Sequence, residues 1–426
     1  MRTEWRTVKL IEVAAKKRWA LNGGPFGSKL SRRHYSASGV PVIRGTNLPA
    51  DSKFSFDDFV FVTNEKADEL QANNAHPGDL VFTQRGTIGQ VGLIPTGSPF
   101  RRFVISQSQM KLTVDPSSAH ALFLYYFFSA GDTVQKIKNL AFAAGVPHIN
   151  LDILRNFEVP LPPLPVQRRI AGVLSAYDEL IENGQRRIRI LEEMARALYR
   201  EWFVHFRFPG HENHVRVPSS FGEIPTGWEV SSFRQAATFE NGDRGKNYPN
   251  GSDFVENGTP FINAGHLVDG AVDFAQVNCV TEAKFEQLRS GKIREGDILY
   301  CLRGSPGRTA RTAGTIFGAI ASSLVIIRPT GRANREFLYY TLSGESGSRM
   351  VSELNNGAAQ PNVSVGSVQK YPLLLPSTDL LNKFAHVIAP KWRLIDALRA
   401  QLAALKAQRD LLLPRLLSGQ LELDVA

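Results

Sequence analysis

Over two stretches of the chain, apolar residues recur at alternating steps of four and three. In the first, Ile170, Leu174, Tyr177, Ile181, Gly184, Ile188, Leu191, Ala195, Leu198 and Trp202 follow this spacing, and only Gly184 is not apolar. Shifted by 214 residues, the same register gives Phe384, Ile388, Lys391, Ile395, Leu398, Leu402, Leu405, Arg409, Leu412 and Leu416, eight of ten apolar. A chain that is 43% hydrophobic would place roughly four there by composition. The spacing predicts two long helices, at about 165–205 and 378–417, that share a coiled-coil seam. Proline-rich exits precede both, at Pro160 to Pro165 and Pro372 to Pro376. Pro390 is expected to kink or restart the second helix, since it lacks an N–H and clashes with the preceding turn. Pro414 and Gly419 should mark its end. Each helix could instead simply cover its own domain. The common register favours pairing, with the second helix running back antiparallel beside the first.

The register is one part of a wider repeat. Gly78-Asp79-Leu80-Val81-Phe82-Thr83-Gln84-Arg85-Gly86 recurs as Gly296-Asp297-Ile298-Leu299-Tyr300-Cys301-Leu302-Arg303-Gly304. Phe123-Leu124-Tyr125-Tyr126 recurs as Phe337-Leu338-Tyr339-Tyr340, and Gly39 to Leu48 is echoed by Gly258 to Leu267. The order is kept, so two diverged copies of one unit fill the chain. A helix pair holding two similar domains at opposite ends would relate them by a pseudo-two-fold axis, the symmetry with which dimers read inverted half-sites on DNA.

At 426 residues, two or three domains are expected. Met1 to Val13 holds no apolar run for a signal peptide, and no stretch is long enough to span a membrane, so a cytoplasmic protein is expected. Cys279 and Cys301 are the only cysteines, and they suggest neither a disulfide framework nor a zinc site. Fifty basic against forty acidic residues give +10, which favours a polyanionic partner. The charge is clustered. No acid lies between Glu12 and Asp51, where seven bases do, and only arginines carry charge between Asp297 and Glu336. Residues 1–163 hold nineteen bases against thirteen acids, whereas residues 210–376 hold sixteen of each.

Arginine suits phosphate clamping and bidentate guanine contact. The turns Gly23 to Lys29 and Arg85 to Gly89 would let backbone amides approach a phosphate, although neither fits a P-loop and both could be plain hairpin turns. Arg85 and Arg303 could alternatively be structural partners of Asp79 and Asp297. Catalytic signatures are absent. Glu282-Ala283-Lys284 after Asp273 loosely resembles a nuclease set, but Thr281 reads better as a helix N-cap. His34, His148 and His266 lack metal-ligand spacing, so no metal site is expected.

Gly24-Pro25-Phe26-Gly27-Ser28-Lys29-Leu30, Gly39 to Gly45 and Pro77-Gly78-Asp79-Leu80 resemble the signature of a target-recognition domain in the specificity subunits of type I restriction-modification enzymes. Ile224 to Val230 resembles the start of a second such domain, and Leu191 to Ala195, Trp202-Phe203 and Pro414 to Gly419 resemble the ends of that family's spacer helices. The resemblance implies an α+β protein: two tandem α/β target-recognition domains, 1–163 and 210–376, separated by two long antiparallel coiled-coil helices within 164–209 and 377–426. It implies that Lys29, Arg32, Arg33, Arg44, Asn47, Gln84, Arg85, Arg101 and Arg102 of the first domain meet double-stranded DNA, with Asn263, Arg303, Arg308 and Arg311 of the second. Ile181, Ile188, Leu191, Leu198, Trp202, Ile395, Leu402, Leu405 and Leu412 would carry helix pairing and docking of two modification (methyltransferase) subunits. This chain would bind no cofactor. The modification subunits would use S-adenosylmethionine to methylate adenine, and restriction subunits would use ATP and Mg. Arg44 becomes Asn263 in the second copy, and Glu240, Asp243, Asp253 and Glu256 interrupt its basic loop, which suggests an unequal half-site. The other classes to weigh are a stand-alone DNA-modifying enzyme, nuclease or methyltransferase, and a two-headed protein-interaction module.

Overall fold

A computed structural model of the chain describes residues 5–143, 148–314, 317–355 and 361–421. The beginning of the Met1–Val13 segment and the last residues of the 377–426 stretch lie outside the described residues. Two compact units emerge, one from residues 1–184 with 401–426, the other from 185–400. Both units mix helix and sheet, as the α+β expectation requires.

Pairing of short hydrophobic strands builds the first unit. Leu21–Gly23, Gln109–Leu112, Leu80–Thr83 and Val91–Leu93 lie side by side in that order, all antiparallel, with Leu80 opposite Leu112 and Phe82 opposite Met110. A second sheet orders Tyr35–Ser36, Val60–Val62, Val40–Ile43, Phe103–Ile105 and Asn74–Ala75, with Val40–Ile43 and Phe103–Ile105 parallel. Every residue of Leu80–Thr83 and Val40–Ile43 is buried, so these strands read as continuous apolar runs rather than alternating ones.

The second unit repeats this plan. Ala237–Asn241, Leu324–Pro329, Ile298–Cys301 and Thr309–Arg311 form its first sheet in the corresponding order. Phe254–Val255, Asn278–Val280, Thr259–Ile262 and Ala319–Ile320 form the second, again with one parallel pair, Thr259–Ile262 beside Ala319–Ile320. A ribbon closes each unit, Arg6–Lys9 on Glu158–Leu161 in one and Glu229–Ser232 on Pro372–Leu375 in the other. The hairpin Arg216–Ser219 with Gly222–Pro225 belongs to the second unit only, among the described residues.

Each ribbon leads into a long helix. The central helix, Leu164–Tyr199, ends in a wide π turn at Arg200–Val204, and the C-terminal helix spans Thr378–Leu417. It runs through Pro390 without a break, which corrects the expected restart. Pro414 lies inside its last turns, and Gly419, at φ +69°, follows its end.

Within the first unit, Ile170, Ala171 and Leu174 of the central helix pack with Leu416 and Leu417 on the aromatic helix Ala121–Ser129. Each fully buried leucine there contributes roughly 1.5–3 kcal/mol. The polar gaps in the seam have local causes. A Cβ on Gly184 would come within 2.7 Å of Leu402 Cδ2, so the bare glycine admits that leucine. Arg409, a charged seam position, donates to Asp178 at 3.0 Å. Pairing from Asp178 with Arg409 to Gly184 with Leu402 advances one helix while it retreats along the other. The two run antiparallel. In the second unit the same sense appears, with Glu192 meeting Arg399 and the Trp202 ring packing at a tilt against Phe384.

Candidate nucleic-acid interface

The turn Arg85–Gly89 joins strands Leu80–Thr83 and Val91–Leu93 of one sheet, so it is a hairpin turn. Arg85 stands exposed on it, and Gly86 takes φ +91°, a left-handed conformation that glycine accepts without strain. Beside it, Gln84 is half-buried, with its backbone carbonyl accepting from Ile149. In the second unit Arg303 is likewise exposed, Gly304 has φ +86°, and Val363 N donates to the carbonyl of Leu302. Arg85 bridges His148 and Arg303 bridges Asn362 in the same antiparallel manner. Neither arginine partners the buried aspartate nearby. Asp79 accepts from the amide of His76, and Asp297 holds Arg328.

The first unit also presents Lys29, Arg32, Arg33 and Arg101, all exposed. The loop that carries Lys29 is fixed from below. Gly24 sits so close to the next strand that a Cβ would reach 2.0 Å from the carbonyl oxygen of Ser106. Gln107 Nε2 donates to the carbonyls of Gly27 and Leu30, the latter at 3.0 Å. Sequence reasoning missed this brace, because nothing local marks Gln107 as a partner of residues 77 and 80 positions earlier.

Four of the residues expected at the DNA have partners within the fold. Asn47 is fully buried, where its amide donates to the carbonyl of Asp57 at 2.8 Å and its oxygen accepts from Arg44 N. Arg311 is also buried, in a bidentate pair with Asp396 and over the Trp392 ring, so its charge is already compensated. Asn263 turns its oxygen to Gly265 N as a helix cap. Arg102 binds Asp68 and Asn64. Arg44 keeps partial exposure while its guanidinium donates to the carbonyl of Asp58.

Arg303 lines a cleft of about 470 Å³ with Asn241, Arg244 and Asn362. Arg308 is exposed but faces another hollow, of about 340 Å³, with Arg196 and Asp269. The acids that interrupt the second unit's loop are largely occupied within the fold. Burial pushes the Glu240 carboxyl up, but hydrogen bonds from Arg328 and Gly291 N outweigh it and hold it below the usual range. Asp243 accepts from the amides of Arg289 and Arg244, and Asp253 pairs with Lys284 at 3.2 Å. Thr281 caps the helix Glu282–Gln287, accepting from Lys284 N. Among the described residues there is no cluster of three or more metal-ligating side chains, and no helix is long and apolar enough to cross a membrane.

The predicted docking residues lie mostly inward. Ile181, Trp202, Ile395 and Leu402 are buried, and Ile188, Leu191, Leu198, Leu405 and Leu412 are partly so. The exposed apolar positions on these helices are others: Leu180 and Leu411 in the first unit, Ile190, Met194 and Leu394 in the second.

Residues 2–193 match the family model of the type I restriction modification DNA specificity domain. Over 369 residues the chain is 26% identical to the type I restriction enzyme MjaIX specificity subunit of Methanocaldococcus jannaschii, covering 85% of this chain and 82% of that one. It is 23% identical over 328 residues to the MjaVIII specificity subunit of the same organism, covering 75% of each. The fold is similar to the crystal structure of a type I restriction-modification system S subunit from M. genitalium, with TM-score 0.62 over 97% of this chain and 96% of that one at 18% identity. With its repeated sheets and paired helices, this chain is similar to the specificity subunits of type I restriction-modification enzymes, and residues 2–193 match their DNA specificity domain.

Proposed function

We propose that this chain reads a bipartite duplex DNA target, one half-site per unit, and carries the address rather than the chemistry of a restriction-modification complex. One observation supports this most: Arg85 and Arg303 stand exposed at matching turns of two units with one topology. Two like surfaces with different neighbours suit two unlike half-sites. Contacts from Lys29, Arg32, Arg33 and Arg101 hold phosphates, and Arg85 and Arg303 reach base edges. Two modification subunits dock on the exposed apolar helix positions, bring S-adenosylmethionine and methylate adenine, while restriction subunits bring ATP and Mg. The complex works in the cytoplasm.

The test is the methylated motif. The chain co-expressed with its modification subunits in a methylation-free host should give one split motif by methylation-sensitive sequencing. Methylation at unrelated sequences, or by the isolated chain supplied with S-adenosylmethionine, would defeat the reading.

A further inference from the structure

Phe26 stands 82% exposed at the tip of the braced loop in the first unit. A large ring in water gains nothing for the fold, and a slack loop would let it turn inward. This loop is not slack: before the tip Gly24 presses against the carbonyl of Ser106, and after it Gln107 ties the carbonyls of Gly27 and Leu30. The ring is therefore held outward. Lys29, Arg32 and Arg33 are exposed within seven residues of it, in a stretch of the chain without acids. A surface that joins one flat apolar ring to several cations fits a partner with negative charge and flat apolar faces, which is what a nucleic acid offers.

We infer that Phe26 contacts DNA by packing its ring against a base or base step of the half-site read by the first unit, an assignment that rests on the proposed DNA reading. The second unit lacks this device. Its loop makes a similar close approach, with a Cβ on Gly242 reaching 2.5 Å from the carbonyl oxygen of Ile320, but the tip residue there is Arg244, whose guanidinium donates to the carbonyl of Ser322 at 3.4 Å. One half-site meets a ring and the other a guanidinium.

The experiment uses the full-length chain and a pool of 40-bp duplexes with a randomised centre, from which the wild type selects its sequence. Phe26→Ala should weaken binding to a selected duplex roughly 5- to 100-fold while leaving the salt slope unchanged, because the ring carries no charge. Phe26→Trp should restore the affinity. With 2-aminopurine placed along the duplex, wild type should change its fluorescence at one or two positions of a single half-site, and Phe26→Ala should abolish that change. Truncating so exposed a side chain leaves the fold intact, and an unchanged thermal midpoint checks this. Wild-type affinity and fluorescence in Phe26→Ala would overturn the inference while leaving the DNA reading standing. If the wild type retains no duplex from the pool, both fall. Loss of binding to phosphatidylserine vesicles in Phe26→Ala, with duplex binding intact, would give the ring to a membrane and overturn it as well.

Discussion

Tyr126 Oη donates to Asp178 Oδ2 at 2.6 Å, joining the aromatic helix of the first unit to the central helix 52 residues later. The other carboxylate oxygen accepts from Arg409 at 3.0 Å, and Lys53 approaches at 3.3 Å. One aspartate thus ties the globular part to both long helices. At the matching place in the second unit, Trp392 Nε1 donates to Tyr340 Oη at 2.9 Å, so an uncharged bond joins the aromatic helix there to the C-terminal helix alone.

Replacing Asp178 by alanine takes the carboxylate from Lys53 and leaves Arg409 with Asp410 alone, and should destabilise the first unit by about 1.5–3 kcal/mol. Tyr126→Phe removes only one of the bonds that Asp178→Ala removes, a single hydrogen bond to a charged group, and should cost no more than that variant. Hydrogen exchange in the Ala121–Ser129 helix reads both. Equal protection in wild type and Asp178→Ala would refute the assignment.

In the second unit the Glu240–Arg328–Asp297 network gives a pH dependence. Glu240 has a folded pKa below its ordinary 4.5, so its stabilising contribution is complete above that value and is lost as the pH falls through the folded pKa. Urea midpoints at pH 7 and pH 4 should differ less in Glu240→Gln than in wild type. Arg328→Ala leaves Asp297, whose side chain is 2% exposed, without its cation and should cost about 3–5 kcal/mol at pH 7.

Specificity should divide between the units. Arg85→Ala should relax the methylated motif in one half-site only and Arg303→Ala in the other, with a loss of roughly 1–3 kcal/mol at the base pair concerned. Arg311→Ala should leave the motif unchanged and lower the melting temperature instead, since its partners are Asp396 and Trp392. A motif altered in both halves by one substitution would show that matching position does not mean matching role.

Non-specific affinity should lie mostly with the first unit. Replacing Lys29, Arg32 and Arg33 together by alanine should reduce the slope of log affinity against log salt by about one for each phosphate that these side chains neutralise. Replacing Arg244 and Lys246 should change it less, because Arg244 already serves the carbonyl of Ser322. Fluorescence anisotropy with a mixed-sequence duplex over a salt series measures both.

The repeat, the two helices and their antiparallel sense were legible because the signals are periodic. A seam keeps its register over many turns, and Arg85-Gly86 and Arg303-Gly304 sit at one offset from their strands. Burial of individual polar residues was not legible. Arg311 and Arg303 share one acid-free stretch, yet Asp396, which claims Arg311, lies 85 residues away on the C-terminal helix. Asn47 reads like a surface amide until the carbonyls of Ser55 and Asp57 close over it. The local cost of Pro390 predicts a break, whereas burial along the helix, from Phe384 and Ile388 to Trp392 and Ile395, outweighs one missing bond.

The segmented make-up of the first unit bears on how the protein is born. Its core is closed by Leu416 and Leu417, so the portion up to residue 184 leaves the ribosome without the piece that completes it. The second unit, continuous from 185 to 400, has all of its own residues before that happens. Usual amino-to-carboxyl folding order is thereby reversed: the later unit can settle first, while Ile170, Leu174 and the Phe123–Phe128 aromatics wait uncovered. The arrangement predicts chaperone dependence during synthesis and aggregation of nascent chains arrested before residue 401.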